Sequence, residues 1–230
     1  DTAFIYKYIP LNSSTSERSS LEICSTSYDS SIINSNLHSF SSDANYGIRR
    51  RLIEACSNIN GFDFRWYGRG WLLNNVHKLN RDNWRYLKSD LFSSTKLSQT
   101  AKNKYYGEVK DKSILANCKS TFAIENLSTP KNYYTEKLFE PLGYRCLPIF
   151  FKTNNIQNNI FNAIQSSNYG GLVNDTPLKL LLTALEISKV NLNETQKTAT
   201  GMREFINNYL KTNDFNTNLY KCYKEILSLS

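Results

Sequence analysis

The sequence predicts an α/β protein built on a Rossmann-like parallel sheet with crossover helices, and three observations lead there. Apolar positions Ile48, Leu52, Ala55 and Cys56 recur at helical spacing in Gly47–Cys56, and Gly61 then precedes the strand-like run Phe62–Tyr67. A second helix-then-strand unit occupies Glu136–Phe151. Between the two, the apolar run Thr121–Ile124 opens into the polar stretch beginning Glu125-Asn126. Alternating helices and apolar strands are what a parallel sheet requires, because each strand must be returned to the same end by a crossover.

Taken in order, Thr2–Ile9 alternates like a strand, whereas Asn12–Ser42 is rich in serine and asparagine and predicts loops, with short strands around Leu21–Ser25. Residues 1–44 are therefore read as a short N-terminal segment and 45–190 as the main domain. Leu72–Lys104 is polar and basic and reads as an irregular or helical insertion. Thr135 is placed to cap a helix whose first turn carries Glu136 and Lys137. Lys152–Asn159 reads as a loop and Leu178–Val190 as a helix. Met202, Phe205, Ile206, Tyr209 and Leu210 share one helix face, and a last helix is expected over Leu219–Leu229, so residues 191–230 form C-terminal helices packed against the sheet.

Composition sets bounds without choosing a function. The chain has 230 residues, 40% hydrophobic and 13% aromatic, enough for a sizeable core and unlike a disordered chain. A net charge of +8 suits an anionic partner: nucleic acid, a membrane surface or a nucleotide diphosphate. Five dispersed cysteines (Cys24, Cys56, Cys118, Cys146, Cys222) and two histidines (His38, His77) give neither a zinc pattern nor a disulfide framework, so buried thiols are expected and no metal. No apolar run reaches the roughly 20 residues that span a bilayer. The chain begins at Asp1 without a methionine, and any membrane association is expected through an upstream segment.

The most informative stretch is Ser120–Phe151. A strand that ends in Glu125-Asn126 and a helix that starts at Thr135 place free N–H groups and positive dipole at the carboxyl end of a sheet, where open α/β folds bind anionic ligands. Lysine at a helix N-terminus opposes the dipole, so Lys137 is there for something other than helix stability. Glu136 suits that terminus with or without a ligand.

The order E-N, short loop, Tyr133, Thr135-Glu136-Lys137-Leu138, then Pro148-Ile149 resembles the donor-binding signature of the α-(1,3)-fucosyltransferases. Gly107–Lys112 and the arginine-bearing stretch Ile48–Ala55 resemble that family's flanking parts, so the likeness spans about Asn45–Glu186. The resemblance implies the donor-binding half of an inverting, GDP-fucose-dependent GT-B enzyme needing no metal, with a glycan as acceptor and no nucleic acid as partner. It implies donor contacts from Arg49, Lys112, Glu125, Asn126, Tyr133, Glu136 and Lys137: Arg49 clamping the diphosphate, Lys137 on the phosphates, Glu136 on the ribose hydroxyls, and Lys112 closing the site. Glu125 is expected either to face the sugar or to accept backbone N–H bonds. Arg50 and Arg51 are expected to be solvated.

Residues 1–44 would then be the remnant or shortened acceptor side. That side holds the family's catalytic base, and Glu17, Glu22, Asp29 and Asp43 are available without one standing out. Location is left open, cytoplasmic or membrane-peripheral for a microbial or viral chain and Golgi lumenal for an anchored one. Two other readings stand beside this one: a non-catalytic nucleotide-sugar binder, and a nucleic-acid binder using Trp66, Tyr67, Trp71 and Trp84 among basic residues. Gly68-Arg69-Gly70 is read as a turn and not a phosphate loop.

Overall fold

The computed structural model describes residues 27–37, 44–71, 94–109, 111–126, 135–152 and 159–212. Their strands are β1 (Tyr28–Ile33), β2 (Phe64–Tyr67), β3 (Cys118–Ala123), β4 (Leu147–Phe151) and β5 (Val173–Asn174). The helices are α1 (Tyr46–Ser57), α2 (Gln99–Asn103), α3 (Glu136–Gly143), α4 (Asn159–Gln165), α5 (Pro177–Ser188) and α6 (Leu192–Thr212), with 3-10 turns at Lys112–Asn117 and Gly170–Leu172. All pairings are parallel and the strand order is β2-β1-β3-β4-β5.

This order fixes where the helices go. The chain moves one way from β1 to β2 and the other way from β3 to β4, so right-handed crossovers send α1 and α3 to opposite faces. Helix α5 packs with α1, while α6 packs with α3 and α4. Both faces are thus covered, as a parallel sheet demands, and β4 is buried along its whole length. The helices contribute apolar stripes of helical spacing: Leu52, Ile53 and Cys56 from α1, Leu138 and Leu142 from α3, Leu180, Ala184 and Ile187 from α5, and Ala199, Met202 and Ile206 from α6. Pro148 is tolerated inside β4 because β5 pairs only with Phe150 and Phe151, so no neighbour waits on that side for its missing N–H.

The α/β architecture with a parallel sheet agrees with expectation, but its boundaries do not. Strand β1 lies in the middle of the sheet, yet it falls within 1–44, the stretch read as a separate segment of loops. Its sequence Y-D-S-S-I-I hides a central strand because its polar groups are paired between strands. Ser31 Oγ donates to Thr121 Oγ1 at 3.0 Å, and Ser120 Oγ donates to Ser30 Oγ at 3.1 Å. Helix α6 likewise packs on β3 and β4, so the described elements from β1 to α6 are built on one sheet and the divisions at 45 and 191 cut through it. Helix α4 and the two-residue β5 had no predicted counterpart. The expected strands Thr2–Ile9 and Leu21–Ser25 and the helix Leu219–Leu229 lie outside the described residues.

Candidate functional site

In an open α/β sheet the chains leaving two adjacent strands part at the point where the crossover direction reverses, and the crevice between them takes the ligand. Here that point lies between the carboxyl ends of β1 and β3. Helix α1 begins beside it, and α3 begins on its other side.

Arg49, in the first turn of α1, is only 3% exposed. Its Nη2 donates to the Ile124 carbonyl and to Asn126 Oδ1, both at 2.7 Å, and its guanidinium carbon sits 5.0 Å from the Tyr46 ring centre. Asn45 ties the same parts together, its backbone N–H donating to the Asn126 carbonyl and its Nδ2 to the Glu125 carbonyl, each at 3.1 Å. The start of α1 is therefore bolted to the end of β3. Asn45 went unnoticed in the sequence, since nothing in its local pattern marks a residue that bridges 80 positions.

Glu125 organises the other wall. It is 6% exposed, and its carboxylate accepts the Thr135 N–H at 2.6 Å, the Thr135 hydroxyl at 2.8–2.9 Å and Lys137 Nζ at 3.4 Å. Of its two expected roles the structure shows the second: it accepts backbone and side-chain donors at the head of α3. Thr135 caps that helix as predicted, accepting the Lys137 N–H. Lys137 is mostly buried, and its ammonium lies 3.4 Å from the Glu125 carboxylate. Burial holds its pKa below the ordinary lysine value, with Arg49 pushing the same way and Glu125 and Glu136 opposing. Glu136, the neighbouring residue in the same turn, is exposed.

Five of the seven predicted residues thus converge: Arg49, Glu125, Asn126, Glu136 and Lys137. Tyr133 lies outside the described residues. Lys112 is a correction. It opens the 3-10 turn that leads into the amino end of β3 and is ion-paired with Glu140 farther along α3, so it stands at the opposite end of the sheet from the crevice. Asp29 is also at that end, where it accepts from Lys119 Nζ at 2.9 Å, and this removes it from the candidates for a base at the crevice.

Arg50 is a second correction, for it is 3% exposed where solvation was expected. Its Nη2 donates to Asn36 Oδ1 at 2.5 Å and its guanidinium carbon lies 5.0 Å from the Trp71 ring centre. Successive helix residues diverge by about 100°, and here the divergence sends Arg49 towards β3 and Arg50 towards the loops after β1 and β2. Arg51 is exposed, as expected.

The Gly68–Gly70 stretch is a turn, as read. Gly68 has φ +145° and a Cβ there would fall 1.7 Å from the Asn34 carbonyl oxygen, so only glycine fits. Trp66, Tyr67 and Trp71 are core residues, at most 6% exposed, and offer no face for stacking bases. Trp84 lies outside the described residues. Cys56, Cys118 and Cys146 are buried free thiols, as anticipated.

A concavity of about 560 Å³ opens elsewhere, lined by Arg145 before β4 and by the first turns of α6. The bond from Gln196 Nε2 to the Ala116 carbonyl places it at the amino end of the sheet. It holds none of the predicted residues, and its Lys197 is spent on an exposed pair with Glu194. The switch point is the better candidate because it gathers a buried arginine and a mostly buried lysine from different elements.

No protein-family model and no curated protein matches the chain.

Proposed function

We propose that this chain is the donor-binding half of a GT-B glycosyltransferase that moves fucose, or a related sugar, from its GDP conjugate to a glycan hydroxyl with inversion. One observation carries this reading: Arg49, bonded to Asn126, and Lys137, bonded to Glu125, bring two cations 88 positions apart by their numbering to the adjacent residues that follow β3 at the topological switch point of the sheet. Inverting transfer breaks the bond between the sugar's anomeric carbon and the diphosphate oxygen, which keeps the electron pair. The acceptor oxygen attacks from the opposite face and loses its proton to a base. What the donor side must supply is positive potential where charge gathers on the leaving diphosphate. Arg49 offers a planar fork of donors, Lys137 a compact charge, and α3 the N–H groups of its first turn. We assign the ribose hydroxyls to Glu136, which is exposed in the same turn as Lys137.

Calorimetry with GDP, GDP-fucose, UDP and single-stranded DNA tests this reading. GDP and GDP-fucose are expected to bind most tightly. DNA binding tighter than GDP binding would end it.

A further inference from the structure

The backbone carbonyl and amide of Asn34, the first residue past β1, both have partners. Its N–H donates to the Tyr67 carbonyl at 3.0 Å and its carbonyl accepts from Trp71 Nε1 at 2.7 Å. Its side chain is different. Asn34 is 6% exposed, yet its Nδ2 is buried without a hydrogen-bond partner among the described residues. Buried amide groups are seldom left unpaired, because the desolvation cost is not returned. Other polar side chains at this end of the sheet have partners: Asn36 with Arg50 and the Gly70 carbonyl, Asn45 with the Glu125 carbonyl, Arg49 with Asn126. The unpaired amide stands at the carboxyl end of a central strand, on the border of the crevice.

Resting on the function proposed above, we infer that the Asn34 carboxamide is a recognition group for the hydroxyls of the donor's sugar. The order of strands gives the direction. Glu136 and Lys137 flank the crevice from the β3 side and Arg49 spans it, so a nucleotide whose ribose meets Glu136 and whose diphosphate meets both cations sends its sugar towards β1 and Asn34. A carboxamide carries two donors and an acceptor, which matches neighbouring sugar hydroxyls and is neutral, as a ligand without charge requires. The site discriminates by the rule that a buried polar group left unpaired by the wrong ligand costs affinity.

The test compares GDP with GDP-fucose and GDP-mannose on wild type, Asn34→Ala and Asn34→Leu by calorimetry, with thermal melting alongside. The expected result is GDP affinity within about twofold of wild type, and at least one GDP-sugar weakened about tenfold, which corresponds to ~1.4 kcal/mol. Asn34→Leu is expected to melt no lower than wild type, since the carboxamide Nδ2 has no hydrogen-bond partner among the described residues. Equal losses for GDP and the GDP-sugars, unchanged affinities in both folded variants, or a lower melting temperature for Asn34→Leu would each overturn the inference while leaving the donor site standing. Wild type that binds neither GDP nor a GDP-sugar would overturn both.

Discussion

Arg49 and Asn126, 77 residues apart, share a 2.7 Å hydrogen bond across the switch point of the sheet. The asparagine oxygen occupies one arm of a buried guanidinium whose other bond goes to the Ile124 carbonyl. On the proposed function, a phosphate oxygen would meet a cation already held in place, and little side-chain entropy would be lost on binding. Lysine cannot reproduce the fork. Arg49→Lys is expected to weaken GDP binding by about 1.5–3 kcal/mol, the scale of a hydrogen bond to a charged group, as read by calorimetry.

Lys137 gives a pH signature. Its pKa in the free protein is held below the ordinary lysine value of 10.5 by burial and by Arg49. A bound diphosphate favours the charged form and raises that pKa. Between the two values binding takes up a proton, and GDP affinity falls as pH rises. Calorimetry at alkaline pH in buffers of different ionisation enthalpy should show net proton uptake, and Lys137→Ala should abolish it while lowering affinity by about 1.5–3 kcal/mol.

The same shift acts on stability. For a lysine whose folded pKa is depressed, the unfolded chain binds more protons between the folded value and 10.5, so this group's contribution rises with pH across that window. The Lys137→Ala protein should lack that component of the stability profile, measured by urea unfolding as a function of pH.

Glu125 is expected to matter more for folding than for chemistry. Removing its carboxylate leaves the Thr135 N–H without its acceptor and Lys137 without its nearest counter-charge. Glu125→Ala should cost about 3 kcal/mol in urea unfolding, the lower end for breaking a buried pair because Lys137 keeps some solvent contact. Glu125→Gln, which still accepts from Thr135, should cost less.

Lys112 serves as the control. Its pair with Glu140 sits at the amino end of the sheet and is partly exposed, so Lys112→Met should change stability by about 1 kcal/mol or less and leave GDP affinity unaltered.

The readable part of this protein was its local chemistry. A strand ending in Glu125-Asn126 and a helix capped by Thr135 leave marks in consecutive residues, and the crevice follows from the rule that places ligands beyond strand ends. Strand β1 left no such mark, because Ser30 and Ser31 are made acceptable only by Ser120 and Thr121 on the neighbouring strand. Arg50 escaped for the same reason: its partners Asn36, Thr95 and Trp71 are brought to it by the loops after β1 and β2 and the segment before α2. Lys112 was misplaced because closeness in sequence to β3 says nothing of which end of that strand it joins.

A crystal structure of the chain with GDP decides whether Arg49 and Lys137 together hold a guanosine diphosphate at the β1–β3 switch point. Diphosphate oxygens are expected within hydrogen-bond distance of Arg49 and Lys137, with the ribose beside Glu136. GDP seated instead in the concavity by Arg145 and α6, with the crevice unchanged, would contradict this placement.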